Sequence, residues 1–139
     1  MSVPSAQFLA RRLFIALFWA AMAFTFVCAV VPVDDRVILA DRDKVEHFLA
    51  FFVLTVTAIA AYPRRALAVT GVKLLAFGVF IEVVQSLPMV NRQGDLADLA
   101  ADGAAIVTAA LFLALTGARF KLLRLTRPTP AFVHAAHGR

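Results

Sequence analysis

Residues 82–102 read EVVQSLPMVNRQGDLADLAAD, joining the end of one long apolar segment to the start of another and placing acids inside both. In water such acids would be solvated without consequence. Within a membrane-spanning helix an ionisable side chain is costly and marks a functional site by default. The reading of the fold therefore turns on whether the flanking segments cross a bilayer. Of the 139 residues, 62% are apolar and 17% charged, against about half and about a quarter in ordinary globular chains. The mean hydropathy of +0.84 points the same way.

Working outward, the segment after the quoted stretch runs from about residue 96 to 117 and is rich in alanine, with Ala97, Ala100, Ala101, Ala104, Ala105, Ala109 and Ala110. Small residues let helix backbones approach closely in lipid, which predicts a central place for this helix. The segment before it, 66–87, is interrupted only by Lys73 and Glu82 and ends at Pro88. Gly71 and Gly78, one heptad apart, offer it a face for close packing. Upstream, residues 46–62 are apolar until Pro63-Arg64-Arg65 stops the helix. A first apolar run, 13–32, follows Arg11-Arg12 and is too long for a signal peptide. The expectation is an all-α integral membrane protein, a four-helix bundle with spans at about 13–32, 46–62, 66–87 and 96–117, followed by a basic tail over 119–139.

Charge sets the expected orientation. The ends and alternate connections collect nine basic residues on one side, ten with Lys73, and four on the other, Arg36, Arg42, Lys44 and Arg92. By the positive-inside rule both termini are cytoplasmic, and all nine acids fall in the outer half. The net charge of +5 does not point to nucleic acid, since no basic run with interleaved aromatics occurs outside the tail. Cys28 is the single cysteine and reads as a small apolar filler.

Depth brings the polar residues into one layer. With a rise of 1.5 Å per residue, Glu82 lies roughly 8 Å inside its helix end, Asp98 roughly 5 Å, Asp102 roughly 10 Å and His47 roughly 6 Å. Glu82 and Gln85 are i, i+3, and Asp95, Asp98 and Asp102 are i, i+3, i+7, so each set shares one helix face. Asp43 and Glu46 have the spacing of a capping box, and Asp95 stands where an N-cap belongs, so Asp43 and Asp95 read as structural caps. Asp98 either complements the helix dipole or joins the site. Capping does not reach Glu82 or Asp102, which form either a buried hydrogen-bond network or reactive groups. Carboxyls and the His47 imidazole in one layer supply general acid and general base, making His47, Glu82, Asp98 and Asp102 the acid/base candidates. Lys44, Gln85 and Arg92 are the ligand-binding candidates, with Arg92 and Lys44 suited to an anionic group. The same groups offer oxygen and nitrogen donors to a cation, but no recognised metal spacing is present, so no metal is expected; the cofactor is left unknown.

The pattern Asp43-Lys44-x-x-His47-Phe48-x-Ala50-Phe51, then Glu82-x-x-Gln85, then Arg92 with Asp98-x-x-x-Asp102, resembles the VanZ-like family of small bacterial membrane proteins. It covers roughly residues 41–115 and departs from the family at Asp102, where asparagine is commoner. The resemblance implies a multi-pass protein of the bacterial plasma membrane, related to one linked to resistance to the glycopeptide teicoplanin. The function expected is binding or processing of an envelope component, a lipid headgroup, lipid-linked saccharide or glycopeptide, at an outward-facing pocket. Two alternatives stand beside it. One is an accessory or assembly subunit whose polar network is structural. The other, transport, fares worst because the inner helix halves are nearly devoid of polar groups.

Overall fold

The computed structural model describes residues 6–31, 40–90, 94–118 and 121. It is all-helical: α1 spans Ala6–Val30, α2 Ala40–Ala61, α3 Leu67–Gln85 and α4 Leu96–Leu115. All four are long and apolar enough to cross a membrane, and no strand occurs among the described residues. The protein is thus a membrane-type helix bundle. Most of the tail, 119–139, lies outside the described residues.

α1 and α2 start before the apolar runs that announce them, whereas α3 and α4 stop two residues short of theirs. α2 begins at Ala40, well before the expected 46, because its first turns carry charge that can still form helix. Arg42 Nε donates to Glu46 Oε1 across 2.9 Å, an i, i+4 pair. Asp43 accordingly lies inside the first turn of α2 and not at its N-cap, and Glu46 engages Arg42. α2 ends at Ala61, two residues before Pro63, whose ring cannot continue a helix. α4 closes with Gly117 in the left-handed region at φ 63°, just past the C-cap Thr116.

α2, not α4, is the central helix. It packs on each of the other three, most extensively on α4, whereas α1 and α4 do not meet among the described residues. The alanines of α4 do permit close approach, but to one side only. Ala105 and Ala109 are buried while Ala100 and Ala104 are exposed. Phe51 and Leu54 of α2 are fully buried and meet Ile81 of α3 and Ala105 of α4 in one apolar core. Both glycines of α3 face α4: a Cβ on Gly71 would lie 3.4 Å from Ile106 Cγ2, and one on Gly78 would collide with Asp102 Oδ2.

The two ends of the bundle differ. Ala29 of α1, His47 of α2, Glu82 and Gln85 of α3 and Asp95 to Asp102 of α4 gather at one end. At the other, Trp19 Nε1 donates to the Tyr62 hydroxyl across 3.1 Å, and the Arg65 guanidinium sits over the Tyr62 ring. Between them, threonine hydroxyls donate to carbonyls of their own helices, Thr55 to Phe51 at 2.7 Å and Thr57 to Val53 at 2.8 Å.

Candidate functional site

His47 and Asp102 form the centre of the polar end. His47 is 8% exposed and Asp102 fully buried, and with the carboxylate ionised His47 Nδ1 donates to Asp102 Oδ1 across 3.0 Å. The partners come from α2 and α4, whose apolar faces bring them together. The imidazole lies nearly parallel to the Phe51 ring, centroids 6.4 Å apart and planes at 4°. Asp102 sits in the notch left by Gly78, where any side chain on α3 would exclude it. Asp102 Oδ2 has no hydrogen-bond partner.

Asp98, one turn nearer the helix start than Asp102, is 3% exposed, and its Oδ1 likewise lacks a partner. A buried acceptor left unsatisfied costs on the order of 1–3 kcal/mol, more when charged. Donor atoms of Asp43, His47 and Asp98 lie within 4.8 Å of one another. Asp98 thus belongs to the His47 cluster, although it also stands in the first turn of α4, where a carboxylate complements the helix dipole.

Glu82 goes elsewhere. Its Oε2 accepts from the Asp95 backbone N–H across 2.7 Å, and no hydrogen bond joins it to His47 or Asp102 among the described residues. Asp95 caps α4 by accepting from Ala97 N–H at 2.9 Å, while its second oxygen lies 3.6 Å from Lys44 Nζ. Asp95 therefore ties α2, α3 and α4 together, with Glu82 and Lys44 as its partners. The backbone turns tightly here: a Cβ on Gly94 would lie 2.8 Å from the Glu82 carbonyl oxygen.

Gln85 is buried and turned towards α1. Its Nε2 donates to the Ala29 carbonyl across 3.1 Å, satisfying one of the orphan acceptors at the C-terminal end of that helix. Its Oε1 has no partner. Arg92 lies outside the described residues. Of the residues singled out by sequence, His47, Asp98 and Asp102 converge with Asp43, Glu82 and Lys44 meet at Asp95, and Gln85 clasps α1.

A cavity of about 520 Å³ opens beside this cluster, between α1 and α2. Asp43, Glu46 and His47 stand at its polar end; Ala21, Phe24, Cys28, Ala50 and Val53 are among its apolar walls, and Ile81 of α3 also lines it. Phe24, Leu49 and Val53 are exposed, so the groove opens sideways, where lipid chains would lie. The contribution of α1 was missed from the sequence, although Ala21, Thr25 and Cys28 form a stripe of small residues at i, i+4, i+7 that could have disclosed it.

Comparison with family models, curated proteins and solved structures found no match to this chain.

Proposed function

We propose that this chain is a VanZ-like protein of the bacterial plasma membrane that binds an amphipathic envelope component at an outward-facing site. The ligand's acyl chain lies along the groove between α1 and α2, and its headgroup meets Asp43, Glu46 and His47. The observation that carries this reading is the groove itself: about 520 Å³, apolar along its length, open towards lipid and acidic at one end. That volume falls within the usual range of ligand pockets. A lip made of two carboxylates and an imidazole is rich in acceptors, which suits hydroxyl or ammonium donors of a sugar or amine headgroup. Lipid-linked saccharides and aminophospholipids have this character. Retention of such a lipid would link the protein to glycopeptide tolerance, as its resemblance to the VanZ-like family implies. Orientation with both termini cytoplasmic rests on the excess of basic residues at one set of helix ends.

The test is native mass spectrometry of the full chain released from bilayers made of bacterial lipid extract. Wild type should retain an amine- or sugar-bearing lipid, and Ala50→Trp, which fills the groove, should lose it while keeping its helix content and melting temperature. Equal retention by a folded Ala50→Trp would contradict the reading.

A second reading, an accessory subunit with a structural polar network, is favoured by the Glu82–Asp95 and Gln85–Ala29 bonds, both of which tie neighbouring helices together. On that reading Ala50→Trp is silent, and Gln85→Ala lowers expression and stability.

A further inference from the structure

We propose that Asp43, His47 and Asp98 form a binding site for a first-row divalent transition-metal ion, Zn²⁺ or Mn²⁺, where α2 meets α4. Asp43 and His47 are i, i+4 on one face of α2, and Asp98 approaches from the first turn of α4. One donor atom of each lies within 4.8 Å of the others, so a single ion can be reached by all three with small side-chain adjustments.

Two further observations point to an ion. The Asp98 side chain is buried to 3% exposure and its Oδ1 meets no hydrogen-bond donor. A cation supplies what that oxygen lacks. Independently, Asp102 engages Nδ1 of His47 at 3.0 Å. This is the outer-shell arrangement that orients a metal-binding histidine: it fixes the ring, assigns the proton to Nδ1 and leaves the Nε2 lone pair for the ion. Asp102, itself fully buried, is then a positioning residue and not a ligand.

The donor set selects the ion. One imidazole and two carboxylates suit Zn²⁺, Mn²⁺ or Fe²⁺; Mg²⁺ and Ca²⁺ prefer oxygen alone, and Cu⁺ prefers sulfur. Three protein ligands leave at least one coordination position for water or a ligand oxygen. The absence of a recognised metal motif in the sequence follows from the ligands' origin, because two lie on one helix and the third 51 residues further along the chain on another. The site shares Asp43 and His47 with the acidic end of the groove, and a metal titration reads the ion directly whether or not a lipid fills the groove.

The experiment uses the full chain in mild detergent, carrying His134→Ala and His137→Ala so that no tail histidine competes and purified on a histidine-free tag. After chelation and dialysis, Zn²⁺, Mn²⁺ and Mg²⁺ are titrated calorimetrically, and Co²⁺ is added to read its visible ligand-field bands. Wild type should bind one equivalent of Zn²⁺ or Mn²⁺ at least tenfold more tightly than Mg²⁺. Asp98→Asn and Asp43→Asn should each weaken binding at least tenfold, and Asp102→Asn should weaken it tenfold or more and shift the Co²⁺ bands. Melting temperatures identify which variants are folded, and Asp43→Asn, at a half-buried position, serves if Asp98→Asn is not. No binding by wild type, tighter binding of Mg²⁺, or unchanged affinity in a folded ligand variant would overturn the proposal.

Discussion

The two ends of the bundle handle polarity in opposite ways. At the Trp19–Tyr62 end, the polar groups belong to an exposed tryptophan, a half-buried tyrosine and an exposed arginine. At the His47–Asp102 end, carboxyls are buried among helices, and Asp98 and Asp102 each keep an oxygen with no partner. The first arrangement is what membrane interfaces select for anchoring. The second is expensive, and a fold that needed only adhesion would replace such groups with packed apolar ones. The contrast separates exposed from buried polarity within one small bundle.

Breaking the buried pair should have the largest effect. His47→Ala leaves Asp102 buried without its partner, and an expected loss of about 3 kcal/mol follows from uncompensated burial of a charge; denaturant titration in mixed micelles measures it. Next comes the notch in α3. Gly78→Ala forces Asp102 aside and should cost about 1–3 kcal/mol, whereas Gly71→Ala, whose added methyl would meet Ile106 at 3.4 Å, should be neutral or stabilising. The same titration on both glycine variants tests whether Asp102, rather than general helix packing, sets the α3–α4 approach. Glu82→Gln keeps an acceptor for the Asp95 N–H and should cost less than Glu82→Ala, the difference being about 1 kcal/mol. Smallest is Tyr62→Phe, which removes one exposed hydrogen bond at the anchoring end and should change stability by less than about 1 kcal/mol.

The four helices were legible because length and apolarity alone announce a span, and Pro63 and Gly117 mark where two of them stop. The convergence of His47, Asp98 and Asp102 was legible from depth and helix facing. What depth could not say is which neighbour each side chain takes. Glu82 and Asp102 are both acids inside apolar helices, yet Gly78 opens a notch for Asp102 while Glu82, one turn nearer the end, reaches the backbone of Asp95. Gln85 shares a face pattern with Glu82 but finds the unsatisfied carbonyl of Ala29. The central role of α2 was hidden for a related reason. In a membrane-type bundle the core and lipid faces are both apolar, as at buried Leu54 and exposed Val53, so hydrophobic periodicity hardly distinguishes inside from outside. The groove depended on α1, whose small-residue stripe carries no charge to draw attention to it.

The claim that the buried end serves a ligand more than the fold is tested most directly by the melting temperature of Asp98→Leu in detergent, measured beside wild type. Removing a buried carboxyl with an unpartnered oxygen and substituting an apolar side chain of similar size should leave the melting temperature unchanged or raise it. A clear fall, approaching that caused by His47→Ala, would mean that the Asp98 carboxyl holds the bundle together and would contradict the claim.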